Sequence, residues 1–376
     1  MPLSTASGHN ASWTAARIPD VELSQTMNFY HELDQVRLWH GQLLDMLGSA
    51  PTETPSRVVF SASALTLKAY GDAGQGGPPL LIVPAPIKRA YIWDLLPWAS
   101  VVQQCLRRDI RVYLIQWEQP GANEQGLGLD AYADQFILTC LDAIEAELGQ
   151  RRSFLAGHSL GGTFAAIFAA LHPERMQGLT LLGAPLRFGP DVDVFGPLVA
   201  LAPRAQLVTA LLGNVPGSFL DTVSVLASPT SFEGARWADW LKSLFDLQAL
   251  QTHLRVERWM LDELPLARQL FEEVVELLYR ENRFMDGTLI IRGQRATPLA
   301  VDAPILSVIE VRSGLVPSAS VLPFHDAVRS IDKRVLWYEG DIGVALQHVG
   351  MLVGKRAHQY VWPDILQWLH GHSQAG

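Results

Sequence analysis

The stretch Phe154-Leu155-Ala156-Gly157-His158-Ser159-Leu160-Gly161-Gly162-Thr163 decides the fold. Three apolar residues suited to a buried strand run into Gly157-His158-Ser159-Leu160-Gly161, a G-x-S-x-G pattern, and the Ala-rich segment Thr163 to Leu171 follows as a helix. Strand, sharp turn and helix form the setting that lifts a serine to the rim of a parallel sheet. Glycines flank the serine for a steric reason: bulkier neighbours would strike the crossing strand and helix. The bland alternative is an ordinary Gly-rich turn, and the matched strand and helix on either side argue against it.

Outward from this turn, strand and helix textures alternate. Short apolar runs at Leu80 to Val83, Val112 to Trp117 and Leu179 to Leu182 read as strands buried on both faces. Val58 to Phe60 and Leu65 to Tyr70 precede them as two further short strands. Helical spacing fills Val101 to Arg108 and Asp130 to Leu148 between them. Such alternation predicts an α/β chain with a mostly parallel central sheet and helices on both faces. Between 188 and about 287 the rhythm stops, and Leu, Trp and Phe recur at helical spacing. An inserted helical cap accounts for this. Strand texture resumes at Thr288 to Arg292, Ile305 to Val311 and Arg334 to Tyr338, and Trp362 to Leu369 closes the chain as a helix. The expected organisation is therefore an N-terminal tail and helix (1–55, the helix spanning Val21 to Leu47 after about 20 disordered residues), a first core part (56–187), the cap (188–287) and a second core part (288–376).

The 376 residues are 48% hydrophobic and 18% charged, with a net charge of −9. That balance argues against nucleic acid as a partner, since phosphate binding calls for a basic surface. Two cysteines, Cys105 and Cys140, exclude a disulfide scaffold and read as buried thiols. The N-terminal residues lack a charged segment followed by an apolar run, and no stretch of 18 uninterrupted apolar residues occurs, so the expectation is a cytoplasmic protein without a membrane span. No His/Cys/Glu spacing suggests a metal site, and no resident cofactor is expected.

Serine is a weak nucleophile until a base takes its proton. In a fold of this kind the base follows the serine in the chain, after the last strand. Of the histidines beyond the insertion, His348 lies ten residues past the strand Arg334 to Tyr338, where that loop belongs. His325 precedes the strand, His358 lies near the final helix, and His370 and His372 are in the tail. The catalytic pair is thus read as Ser159 and His348. An orienting carboxylate should follow the strand Ile305 to Val311, but the turn there, Arg312-Ser313-Gly314-Leu315-Val316-Pro317, holds no acid. Glu310, Asp341, Asp191 and Asp193 are the alternatives. The oxyanion hole calls for two backbone N–H groups, assigned to Leu160 and, because Pro86 has none, to Ile87. Lys88 and Arg89 follow as either solvated loop charges or contacts for an anionic part of a substrate.

These residues resemble the polyhydroxyalkanoate synthases. Pro84-Ala85-Pro86-Ile87-Lys88-Arg89-Ala90-Tyr91-Ile92-Trp93-Asp94-Leu95 is similar to that family's P-P-x-I-N-K-x-Y-I-x-D-L, and Val112 to Pro120 resembles its strand ending in S-W-R-N-P. Gly157 to Thr163 resembles its G-x-C-x-G-G-T, Leu315-Val316-Pro317 its D-x-I-V-P turn, His348 its G-H-I-x-G histidine, and Trp362-Pro363-Asp364 a Trp-rich stretch before its final helix. The resemblance runs from about 58 to 370 and is weakest across the insertion. It implies an α/β-hydrolase fold and acyl transfer from a thioester. It also implies a cysteine where this chain has Ser159 and an aspartate where it has Ser313. That aspartate is linked to activating the hydroxyl of the growing chain, so its loss puts polymer elongation in doubt.

Three functions follow as expectations. The leading one is a serine-dependent acyltransferase that takes an acyl group from coenzyme A or a carrier protein as substrate and passes it to an alcohol, amine or thiol acceptor. A hydrolase (thioesterase, esterase or polyester depolymerase) would use the same pair with water. A non-catalytic homologue acting as a partner subunit is the third, motivated by the missing acid. The apolar insertion residues Trp237, Trp240, Leu241, Leu244 and Phe245 suit water exclusion, a lid, or plain packing, and an oligomer is compatible with all three functions.

Overall fold

The computed structural model describes residues 20–71 and 76–373. The expected disordered tail before Asp20 and part of the Gly/Pro loop lie outside the described residues. Eight strands form the central sheet: β1 (Ser56–Ser61), β2 (Leu65–Tyr70), β3 (Pro79–Val83), β4 (Arg111–Trp117), β5 (Ser153–His158), β6 (Met176–Leu182), β7 (Ile305–Glu310) and β8 (Lys333–Tyr338). Their spatial order is β1-β2-β4-β3-β5-β6-β7-β8. Only β2 runs against its neighbours; β3 is parallel to both β4 and β5, and the parallel run continues to β8.

The inner runs are wholly apolar because strands such as β3 and β5 are buried on both faces, whereas the edge strands β1 and β8 stay partly exposed. Leu81 and Val83 enter one core cluster and Leu80 and Ile82 the other, as a period of two requires. The first cluster packs under α3 (Phe136–Leu148) and α4 (Leu160–Leu171). The second packs under α2 (Val101–Leu106), α12 (Gln347–Val353) and α13 (Trp362–Ser373). From β3 the chain turns to β4 on one side, and β5 lies on the other. In an open α/β sheet the crevice for ligands forms at such a reversal, outside the carboxyl ends of the strands. The loop after β3 and the turn after β5 both end there.

Between β6 and β7 the chain leaves the sheet for six helices: α5 (Gly196–Leu201), α6 (Ala205–Leu212), α7 (Gly217–Ala227), α8 (Ala235–Ser243), α9 (Leu247–Met260) and α10 (Arg268–Glu273). The N-terminal helix α1 (Asp20–Leu44) braces this cap. Arg37 pairs with Asp221 at 2.8 Å, Asp45 with Arg258 at 2.8 Å, and Asp34 accepts from Ser218 N at 2.9 Å. Helix α11 (Ser318–Ala327) links β7 to β8. Among the described residues, no helix is long and apolar enough to cross a membrane.

One expected strand is corrected. Thr288 to Arg292 reads as the sheet resuming, yet Leu289–Ile291 pairs with Gln294–Ala296 in a separate antiparallel hairpin. Strand propensity there is real, but Gly293, with φ +80°, folds the chain back on itself at once. The sheet resumes at β7.

Candidate active site

Ser159 stands between the end of β5 and the start of α4 with φ 54° and ψ −133°. A serine in that region stores about 1–3 kcal/mol of backbone strain. It is held there by its own N–H, which donates to Leu182 O on β6 at 3.0 Å, and by its carbonyl, which accepts from Gly162 N and Thr163 N in the first turn of α4. The flanking glycines are sterically required. A Cβ at Gly157 would sit 2.5 Å from Gly162 Cα, and one at Gly161 would sit 2.2 Å from Val83 O. Gly161→Ala should therefore force the β3 loop away from the elbow and cost about 3 kcal/mol or more of stability. A urea midpoint unchanged from the parent would refute this steric account.

Ser159 and His348 line one apolar pocket of about 200 Å³. The candidate oxyanion residues Leu160 and Ile87 line it as well, beside Ala85 and Lys88. The β3 loop is fixed from two sides. Trp117 Nε1 donates to Pro84 O at 2.8 Å from below, while from the cap Leu264 N donates to Ile87 O at 3.0 Å and Trp259 Nε1 to Arg89 O at 2.7 Å. Rigid placement of these backbone groups is what charge stabilisation at a developing oxyanion needs.

Lys88 is not a solvated loop charge. Its Nζ donates to Glu263 Oε1 at 2.6 Å and Met260 O at 2.5 Å, under the cap. Burial lowers its pKa, opposed by Glu263. The expected insertion residues do not line the Ser159 pocket. Trp237 and Phe245 are 65% and 92% exposed, and Leu241 and Leu244 are exposed with them. Phe232, Trp259, Met260 and Tyr279 instead close the pocket.

His348 opens α12 and is buried. Its pKa lies well below 6.5, first because burial disfavours the cation and second because His158 is beside it. Its Nδ1 is buried without a hydrogen-bond partner among the described residues. None of the four candidate acids bonds to it. Asp341 Oδ2 accepts from Tyr338 Oη at 2.9 Å and its Oδ1 from Arg356 N at 2.9 Å. Asp193 Oδ1 caps α5 through Phe195 N and Gly196 N. Asp191 pairs loosely with Arg187 at the surface. Glu310 ends β7, hydrogen-bonded to Ser313, beside a cleft of about 980 Å³ that Ser313, Asp341 and His348 also line. Ser313 Oγ, in the position where the resemblance implies an aspartate, accepts from Val316 N at 3.0 Å.

Two residues that sequence reasoning missed fix the base loop. His158, the first variable residue of the elbow, reaches His348 O through Nε2 at 2.9 Å. Asp239 of α8 accepts from Gly343 N at 2.9 Å and Ala345 N at 2.8 Å, and its Oδ2 also meets His253 Nδ1 at 2.8 Å. The only sequence signal for either was His158's place next to the serine; nothing links Asp239 to a loop 104 residues away. The two cysteines are remote in chemistry as well as place: both are buried, and burial pushes each thiol up to about 12. Ser159 is accordingly the nucleophile candidate of this pocket.

The chain is similar to known proteins in sequence and in fold. A family model described as alpha/beta hydrolase fold matches residues 78–228. The chain is 32% identical over 329 residues to the poly(3-hydroxyalkanoate) polymerase subunit PhaC of Haloferax mediterranei, covering 86% of this chain and 65% of that one. It is 28% identical over 322 residues to the subunit of the same name from Allochromatium vinosum, covering 84% and 88%. The chain has the α/β-hydrolase fold and is similar to polyhydroxyalkanoate polymerase subunits over most of its length. It spans about two thirds of the length of the haloarchaeal relative. Among solved structures, the monoacylglycerol lipase of Paleococcus ferrophilus superposes with TM-score 0.51 at 17% identity, over 82% of this chain and 99% of that one. The enol-lactonase of Burkholderia xenovorans LB400 does so with TM-score 0.51 at 14% identity, over 84% and 100%. Both likenesses carry the fold alone.

Proposed function

We propose that this chain is a serine-dependent acyltransferase that forms an acyl-Ser159 intermediate from a thioester of coenzyme A or a carrier protein. The observation that carries the reading is the strained serine at the sheet's reversal point sharing one apolar pocket with a buried, neutral imidazole. Ser159 Oγ attacks the thioester carbonyl while His348 takes its proton. Backbone N–H groups of Leu160 and Ile87 meet the oxygen as it becomes negative. The C–S bond then breaks, and His348 returns the proton to the departing sulfur. An acceptor alcohol, amine or thiol next gives its proton to His348, attacks the ester, and leaves Ser159 restored. A thioester donor of this kind suits a cytoplasmic protein. The chemistry needs no resident cofactor.

Transfer is favoured over hydrolysis by the relatives, which are named as polymerases, and by the mainly apolar lining of the pocket. The deciding measurement follows free thiol release from a panel of acyl-CoA thioesters, with and without acceptors, together with the intact mass of the protein. The proposal expects a mass increase by one acyl group at Ser159 and faster thiol release with the right acceptor. Release at one rate with every acceptor means hydrolysis.

A base held neutral by burial has a pH consequence. His348 needs no deprotonation at 6.5, so acylation should show no inflection at the ordinary imidazole value. Stability behaves differently. His158 and His358 have folded values of about 4 against an ordinary 6.5. A depressed folded value means stability is full above 6.5 and is lost as pH falls from there toward 4, by about 3 kcal/mol for each group. Rate against pH and thermal midpoint against pH should thus diverge, the midpoint falling first. A rate that halves at 6.5 while the midpoint stays level would contradict both assignments.

A further inference from the structure

We propose that His158 is a positioning residue for His348, holding the base by its main chain where a triad holds it by its ring. The inference rests on the Ser159–His348 reading above. In a triad a carboxylate accepts from Nδ1–H and fixes both tautomer and orientation. Here Nδ1 of His348 is buried and finds no such partner among the described residues. Two contacts come from His158 instead. Its Nε2–H donates to His348 O at 2.9 Å, and its ring lies against the His348 ring with centroids 4.4 Å apart at 40°. The carbonyl can only accept, so the hydrogen bond requires a proton on Nε2 of His158. Both rings are buried, at 6% and 8% exposure, so neither contact is diluted by water.

The placement follows from the elbow itself. His158 is the last residue of β5 and immediately precedes the nucleophile, so the element that aims Ser159 also clamps the base. Gly183 lies against the His348 ring as well: a Cβ there would sit 3.0 Å from Cε1. The ring is thus bounded both by His158 and by the backbone after β6. Nucleophile and base are thus tied to one strand end.

The experiment compares His158→Leu, His158→Asn and His158→Gln in the full chain. Glutamine places its amide nitrogen near where Nε2 lies and keeps the donor; asparagine is too short to reach, and leucine has no donor. Each protein is assayed with a chromogenic short-chain ester for kcat and KM, and its Ser159 is labelled with a fluorophosphonate. The proposal expects kcat to fall about 10- to 100-fold in the Leu and Asn variants with KM little changed. Most of that loss should be recovered in the Gln variant. Should the Leu variant fail to fold, the Asn and Gln pair still decides. Parent-like kcat in the Asn variant, or equal losses in Asn and Gln, overturns the clamp. Failure of the parent itself to label at Ser159 overturns instead the reading on which the clamp rests.

Discussion

Replacing Ser159 by alanine should abolish acyl-enzyme formation and lower turnover of an activated ester by about 10⁴-fold or more. No other group in the pocket is equipped to replace it: the one other serine that lines it, Ser224, donates its hydroxyl to Leu220 O at 2.9 Å within α7. Lys88 is tied to Glu263 and Met260, His348 serves as base, and both cysteines lie elsewhere in the core with thiols pushed up to about 12. The variant should fold as the parent does, because alanine tolerates φ 54° no worse than serine. Intact-mass analysis after exposure to a fluorophosphonate should show one adduct on the parent and none on the variant. A variant that still gains the adduct, or retains parent-like turnover, would remove Ser159 from the mechanism. Ser159→Cys is informative beside it. The resemblance implies a cysteine at this position, and the thiol occupies the same site next to the neutral imidazole. It should accept an acyl group from thioesters and show where the serine chain departs from that pattern.

Much of this was legible because it is local. Gly157 to Thr163 specifies strand, elbow and helix within a single short stretch, and chain order then selects His348 from the downstream histidines. The sheet followed from wholly apolar runs such as Leu80 to Val83, whose burial on both faces leaves no polar alternation. What escaped reading depends on distant partners. Lys88 and Arg89 look solvated in the chain; only the cap, returning through Trp259 to Glu263, buries Lys88. Trp237 and Phe245 look like shielding for a pocket, yet both face outward from the cap. Leu289 to Ile291 has the composition of a core strand, and propensity does not say which strand it pairs with. Asp239 gives no local sign that it pins the His348 loop. The missing acid is a different case. The turn after β7 already lacks it in the sequence, and in the structure Asp341 and one oxygen of Asp193 accept from other groups while Asp191 lies at the surface.

The missing charge makes a gain-of-function prediction. Ser313→Asp should raise the acylation rate about 10-fold or more, since losing an orienting carboxylate costs on the order of 10⁴ in turnover. Ser313 lines the same cleft as His348 and is only half-buried, so a carboxylate there keeps part of its hydration. Its acceptor contact with Val316 N at 3.0 Å is one that aspartate also makes, while its contact with the Glu310 carboxylate is lost to like-charge repulsion, which works against part of the gain. The remaining oxygen enters the cleft that His348 also lines, and His348 Nδ1 has no partner among the described residues. A negative charge at that nitrogen also stabilises the imidazolium, so the acid limb of the rate profile should move upward, toward the ordinary 6.5. Ser313→Asn is the control. It has the shape without the charge, and should leave both rate and acid limb near the parent. Equal rates in the Asp and Asn variants, with unchanged melting, would mean that the base is already fully oriented through its main chain. In that event a dyad clamped by His158 and Asp239 is the finished machine, and the acid was dispensable once the loop was held.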